Sequence, residues 1–317
     1  MKLIDMHCDT IGKILDIDKQ GDFAENLCSV NIEQMKKADS LAQFFACFTY
    51  LGDYIDNGGY EKCYEHALEM IEFLEKQLIV YKKDIALARS YEEIRKNELE
   101  KKLSAVLTIE EGGILNGQME RLHRLHEKGA RLITLMWNYE NCLGHPNSKD
   151  PEVMQKGLQP FGIEVVEQMG NLGMIIDVSH ASDGSFWDVM KYAKGPVVAT
   201  HSNCRSLCNH PRNLSDEMIR ALAEKGGVSG LNLYGVFLGT QNESRIDEMA
   251  AHLMHMINVG GSEFPAIGTD FDGFDEGELA ILHMGEMKRV YHAIEKRGFS
   301  ERQIDKILNG NILRVMQ

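Results

Sequence analysis

Ile4-Asp5-Met6-His7-Cys8-Asp9-Thr10 reads as a strand that ends in chemistry. Its apolar start leads into alternation, with Asp5, His7 and Asp9 on one side and Met6 and Cys8 on the other. A neutral imidazole beside a carboxylate is half of a divalent-metal site. The chain beyond this strand decides the architecture. A doubly wound nucleotide-binding sheet wants a glycine-rich turn after its first strand, and none is present here. Seven further β-rich runs come later, near 41–50, 104–110, 131–137, 174–179, 197–201, 228–233 and 265–270. Eight β/α units in about 300 residues favour a (β/α)8 barrel.

Helical periodicity fills the intervals. The longest helix is expected over 59–82, with Leu68, Ile71, Leu74 and Leu78 on one face. Others are expected near 85–101, 117–128, 151–172, 183–193, 215–225 and 244–259, and two more, 277–297 and 300–315, close the chain. Ser215-Asp216-Glu217 before Met218-Ile219 is a good helix start, with acidic residues in the first turn. Segment 11–40 is less regular and reads as a loop with a short helix over the barrel mouth. No linker, repeat or low-complexity stretch divides residues 1–317, so one barrel domain is expected.

Composition narrows the function classes. The 317 residues are 44% hydrophobic and 26% charged, enough for a sizeable core. A net charge of −14, with no clustered Lys and Arg, argues against a nucleic-acid partner. No run reaches the roughly 18 apolar residues of a membrane span. The seven scattered cysteines suit reduced thiols rather than a disulfide framework. A cytoplasmic protein without a membrane partner is expected; a homodimer stays open.

Barrel enzymes build their sites at the C-terminal ends of the strands. Here those ends carry His7 and Asp9, Glu110-Glu111-Gly112-Gly113, Trp137-Asn138, Asp177-Val178-Ser179-His180, His201-Ser202, Asn232-Leu233-Tyr234 and Asp270-Phe271-Asp272-Gly273. This donor set suits two divalent ions, one on His7 and Asp9 and the other on His180 and His201. Glu111 is placed to bridge them, because a carboxylate spans ions about 3.5–4 Å apart. Water shared by two such ions loses a proton near neutral pH. Asp270 faces the same space and can accept that proton and return it to a leaving group. Alternation sets Glu110 opposite Glu111, facing scaffold or solvent. Asp177 reads as structural, and Asp272 competes with Asp270 for the catalytic place. Cys8, Cys204 and Cys208 read as packing. His123 and His126 lie on a solvated helix face, and His252 and His255 are read likewise. His145 and His210 sit in rim loops, within reach of a substrate.

The motifs His7-x-Asp9, Glu111-Gly112-Gly113, Asp177-x-Ser179-His180, His201-Ser202, Pro211-Arg212-Asn213 and Asp270-Phe271-Asp272-Gly273 together resemble the membrane (renal) dipeptidase family, within the amidohydrolase-like superfamily. The likeness runs to Asn311-x-Leu313-Arg314-Val315. It is specific, because related amidohydrolases usually begin with His-x-His and often bridge their metals with a carbamylated lysine. The resemblance implies two Zn2+ ions on His7, Asp9, Glu111, His180 and His201, with Asp270 as proton shuttle. It also implies that Arg212 grips the terminal carboxylate of a dipeptide, including dipeptides with a D-residue at the C-terminal side. A guanidinium fork suits that task; the alternative is a rim ion pair. One position departs. Animal members have a histidine at the end of strand four, credited with polarising the scissile carbonyl, where this chain has Trp137. Trp137 or Asn138 substitutes, zinc acts alone, or the substrate range has moved. Tyr234 completes the expected substrate contacts. The expected function is a zinc dipeptidase acting on small peptides. A deacylase of N-acyl-D-amino acids is the alternative, and a non-catalytic metal- or peptide-binding barrel the remote one.

Overall fold

In Leu103–Glu110, Ala105, Leu107 and Ile109 join the large apolar cluster beneath the helices, while Val106 joins a smaller, separate one. The smaller cluster draws on strands all round the barrel, including Ile4, Phe44, Leu132, Ile175 and Val198. It is the barrel interior. Burial of each such side chain contributes about 1.5–3 kcal/mol, and the two-sided covering explains why these strands read as continuous apolar runs.

The computed structural model describes residues 1–239, 245–274 and 279–317. Its strands are β1 (Leu3–Cys8), β2 (Ser40–Phe48), β3 (Ile85–Leu87), β4 (Leu103–Glu110), β5 (Leu132–Thr134), β6 (Ile175–Asp177), β7 (Val197–Val198), β8 (Ser229–Leu231) and β9 (Pro265–Ile267). Eight pair in parallel in the order β7-β6-β5-β4-β2-β1-β9-β8, and β3 pairs only with β4. The ring closes between β7 and β8 through the single bridge Ala199↔Ser229. Glycine is required beside this seam. A Cβ on Gly230 would lie 1.9 Å from the Thr200 carbonyl oxygen, and one on Gly268 1.7 Å from the same atom. The fold is the expected (β/α)8 barrel.

Several boundaries differ from the sequence reading, each for a local reason. Residues 85–87 are a strand rather than the start of a helix, and the helix begins at Tyr91 behind Ser90, whose hydroxyl accepts from the Glu93 N–H at 3.4 Å. The helix expected over 151–172 is two, Pro151–Met154 and Pro160–Asn171, each opened by its proline. Residue 244, the expected start of one helix, lies outside the described residues, and the helix is found over Ile246–Gly260. Residues 277–278 also lie outside them; a 3-10 turn at Met284–Glu286 precedes the helix Lys288–Lys296. Strands β5 to β9 end two or three residues early as the chain leaves the ladder to form the mouth.

The rim segment holds two short helices, Thr10–Asp16 and Ile32–Lys37. Asp272 ties it down, accepting from the Thr10 hydroxyl (2.6 Å), Lys13 Nζ (3.2 Å) and the Ser29 N–H (2.9 Å). At the opposite end Ile312 enters the interior cluster, and Asn311 Nδ2 donates to the carbonyls of Ser262 (3.0 Å) and Pro265 (2.8 Å). No described helix is long and apolar enough to cross a membrane.

Candidate metal centre

Strand ends from around the mouth deliver one cluster. His7 Nε2 lies 3.2 Å from Glu110 Oε2, 3.4 Å from Asp9 Oδ2 and 3.8 Å from Asp270 Oδ1. On the other side, Glu110 Oε1 lies 3.2 Å from His180 Nε2 and 3.5 Å from His201 Nε2. One carboxylate therefore faces both halves of the donor set, and it is Glu110, not Glu111. The sequence reading gives this place to Glu111, whereas strand geometry gives it to Glu110. Val106, Thr108 and Glu110 share the inward face of β4, so Glu110 completes the strand above the barrel interior.

Glu111 lies past the strand at φ 81° and leaves its alternation. Its carboxylate is fully engaged elsewhere. Oε1 accepts from the Gly113 N–H (2.8 Å) and Asn141 Nδ2 (2.6 Å), and Oε2 from the Trp137 N–H (2.9 Å). Glu111 staples the loops after β4 and β5 together. His7 also departs from simple alternation. Asp5 pairs with Gln43 but Cys8 with Phe45, so β1 spends one more residue than β2 over this interval. That irregularity re-aims the strand end, as bulges beside active sites do. His180 and Asp270 turn into the mouth from left-handed backbone, φ 67° and 63°. Such conformations cost about 1–3 kcal/mol each and persist where surroundings hold them. For His180 the Asn147 N–H does so, donating to its carbonyl at 2.7 Å.

Hydrogen bonds behind the histidines set their tautomers. His180 Nδ1 is 3.1 Å from Asn138 Oδ1, an oxygen that only accepts, so Nδ1 carries the proton. The Thr200 hydroxyl donates to Asp177 Oδ2 (2.5 Å) and accepts from His201 Nδ1 (2.7 Å). Both Nε2 atoms are then bare lone pairs, yet they stand 3.1 Å apart. His7 Nε2, Asp9 Oδ1 and Glu110 Oε1 are buried with no hydrogen-bond partner. Facing lone pairs and orphaned donor atoms fit divalent cations, and an N/O set of this kind suits zinc. His7, Asp9 and Glu110 form one group of convergent ligand atoms, Glu110, His180 and His201 another, and His7, His201 and Asp270 a third.

The electrostatics agree. Burial pushes Glu110 and Asp270 up to about 7 each, partly offset by His7. Burial disfavours a charged His7, but Glu110 and Asp9 overcome it and raise its pKa well above the usual range. Burial drives His180 and His201 well below it, so both are neutral and ready to ligate. A buried excess of carboxylate around one imidazolium is what cations would neutralise.

A cavity of about 960 Å³ opens above the cluster, lined by Asp9, Glu110, His180 and Asp270 at its floor. Trp137 forms one wall, its ring 5.1 Å from that of Phe48 and 5.4 Å from that of Tyr50. Tyr234 lines the other, stacked on Phe274 at 4.8 Å and edge-on to Phe237 at 5.0 Å. Arg212 is buried behind Phe237, with Nη1 donating to Ser202 Oγ (2.7 Å), Nη2 to the His201 carbonyl (3.1 Å) and Nε unpartnered. Among the described residues no carboxylate lies within ion-pairing distance of it, so it is not a rim ion pair. Burial lowers its pKa to about 10, and it stays cationic at neutral pH.

Other candidates fall away from the chemistry. Asp272 is spent on the rim helices, and Asp177 on Thr134, Ser179 and Thr200. Neither His145 nor His210 lines the cavity; His145 meets Gly157 and Glu140, and His210 packs on Phe237. Cys204 contacts the His252 backbone. Two contributors went unrecognised in the sequence. Glu110 was signalled by strand parity. Asn232, whose Nδ2 donates to Asp270 Oδ2 at 2.8 Å, carried no signal beyond its place at a strand end.

The family model for membrane dipeptidase, peptidase family M19, matches residues 1–317. The chain belongs to this family. A relative in Schizosaccharomyces pombe, an uncharacterized dipeptidase, is 28% identical over 309 residues, 93% of this chain and 73% of its own. A Klebsiella pneumoniae protein known by its place in the pqqA 5′ region is 34% identical over 268 residues, 78% of this chain and 96% of its own. A metallopeptidase structure from Rhodobacter sphaeroides, liganded with a phosphinate mimic of the dipeptide L-Ala-D-Ala, superposes with TM-score 0.91 at 21% identity. The match covers 100% of this chain and 98% of that one, so the barrel fold is shared end to end.

Proposed function

We propose that this M19 metallopeptidase is a binuclear zinc dipeptidase, with L,D-dipeptides among its substrates. The observation that carries the reading is Glu110, whose two oxygens face His7 on one side and the His180–His201 pair on the other. His7 and Asp9 would hold one ion, His180 and His201 the second, and Glu110 both. Bound zinc would supply Lewis acidity for the scissile carbonyl and lower the pKa of water towards neutrality. Asp270 takes the proton of the attacking water and gives it to the departing amine nitrogen. Asn138 keeps the His180 ring in its ligating tautomer. Trp137, with Phe48 and Tyr50, walls the cavity and excludes water, a packing task in place of the polar one its counterpart has in animal relatives. Tyr234 bounds the end nearer Arg212. The inclusion of L,D-dipeptides takes support from the ligand of the Rhodobacter sphaeroides structure.

The test is metal analysis joined to a substrate panel. Two zinc equivalents per chain, hydrolysis of L,L- and L,D-dipeptides, and loss of both activity and metal on chelation are expected. Two zincs with turnover of N-acyl-D-amino acids but of no dipeptide would replace this reading with the deacylase.

Arg212 limits substrate length by binding the terminal carboxylate. Hydrogen bonds to a charged group contribute about 1.5–3 kcal/mol. Arg212→Met should therefore raise KM for dipeptides on the order of 10- to 100-fold, and leave KM for a C-terminally amidated analogue nearly unchanged. Equal effects on both would remove the clamp.

A further inference from the structure

Asp270 sits on left-handed backbone with two equivalent oxygens, and nothing in its own residue decides which of them faces the cluster. Asn232 does. Its Nδ2 donates to Asp270 Oδ2 at 2.8 Å, leaving Oδ1 on the His7 side, 3.8 Å from Nε2. The amide orientation is fixed by what surrounds it. Asn232 Oδ1 accepts from the Tyr234 N–H at 2.7 Å, so the NH2 end must point to Asp270. The backbone is held as well. Asn203 Oδ1 accepts from the Asn232 N–H (3.0 Å), and Asn203 Nδ2 donates to the Asn232 carbonyl (2.9 Å). Both asparagines are fully buried, beside the seam where only one bridge joins β7 to β8. The amide pair continues the backbone bonds that cross this seam, from the Ala199 N–H to the Val228 carbonyl (2.9 Å), the Gly230 N–H to the Ala199 carbonyl (2.8 Å) and the Ser202 N–H to the Gly230 carbonyl (2.9 Å). Asn232 Nδ2 also reaches the His201 carbonyl (3.3 Å), the same oxygen that Arg212 Nη2 binds.

We propose that Asn232, clamped by Asn203, is the positioning residue for Asp270: it occupies one carboxylate oxygen so that the other is presented to the reacting water and amine. The proposal rests on the proton-transfer reading of Asp270. A fully satisfied buried amide rigidifies what it touches, and a misaimed base loses rate far more than binding.

The test is a double-mutant cycle in metal-loaded enzyme, with kcat and KM measured on one dipeptide. Asn232→Asp keeps the acceptor for Tyr234 and loses the donor; Asn232→Ser removes the amide without adding a charge. Each is expected to lower kcat about 10- to 100-fold, the loss of one charge-assisted hydrogen bond, with KM within a few-fold and both metals retained. In an Asp270→Asn background the same changes should alter the residual kcat by less than about twofold, because the group they aim is gone. Losses that multiply in the double variant would overturn the proposal and make Asn232 merely structural. So would metal loss in both Asn232 variants, which would assign the residue to the metal framework. If Asp270→Asn alone keeps full turnover, the proton-transfer reading fails and takes this one with it. If Asp270→Asn is impaired and the Asn232 variants are not, only this inference fails.

Discussion

Glu110→Gln should empty or cripple the metal centre, whereas Glu111→Gln should keep its metals and lose stability. The two residues are adjacent and both are buried, so sequence proximity offers no contrast between them. Geometry does. Glu110 has an oxygen towards His7 and another towards His180 and His201, with Oε1 unpartnered. An amide there presents one oxygen and one NH2, and the NH2 cannot ligate. Losing several kcal/mol of ligand energy should lower turnover on the order of 10³-fold and reduce bound metal to one equivalent or less. Glu111 instead accepts three N–H bonds from Gly113, Trp137 and Asn141. In Glu111→Gln one of those donors meets a second donor, and an unmet buried group costs about 1–3 kcal/mol. A lower unfolding midpoint with two metals still bound is the expected outcome. Metal analysis and thermal unfolding of both variants decide the matter. Metal lost from Glu111→Gln and kept by Glu110→Gln would restore Glu111 to the centre.

Glu110 and Glu111 show which signals a sequence makes legible. Ala105, Leu107 and Ile109 form an unbroken apolar set, as a helix-covered face should, while Val106, Thr108 and Glu110 grow polar towards the mouth. That pattern was readable, and it puts Glu110 inside. The Glu111-Gly112-Gly113 motif points to Glu111 instead, but the glycines come after a left-handed residue that takes Glu111 out of register. The barrel itself was legible because eight apolar runs repeat with helical patterns between them. His7, Asp9, His180, His201 and Asp270, which the structure brings together at the mouth, stand out in the sequence because strand-end position and residue type coincide. Strand β3 was not, because three residues, Ile85-Ala86-Leu87, carry too little periodicity to tell a strand from a helix start. Nor was Asn232. A neutral amide announces no chemistry, and the role proposed for it acts through Asp270, 38 residues along the chain.

Asp270→Asn should leave two metals in place and lower kcat about 10²- to 10⁴-fold, the range of a general acid–base group. The substitution is isosteric, and the hydrogen bonding around it dictates how the new amide settles. Asn232 Nδ2 requires an acceptor, so the carbonyl oxygen of the new side chain turns towards Asn232. Its NH2 then occupies the place of Oδ1, on the His7 side, where the proton acceptor stood. An amide nitrogen there can neither take a proton from water nor pass one to the leaving amine. KM should move only a few-fold, because Arg212 and the aromatic walls are untouched. Loss of metal would recast Asp270 as a ligand, a role its grouping with His7 and His201 makes worth measuring. Full turnover would end its part in proton transfer. A depsipeptide, in which a 2-hydroxy acid replaces the C-terminal amino acid, separates the two halves of that part. It keeps the carboxylate for Arg212, but its alkoxide departs far more readily than an amide anion and needs a proton much less. The loss on Asp270→Asn should be smaller for this substrate than for a dipeptide if protonation of the amine limits the rate, and equal for both if activation of water does.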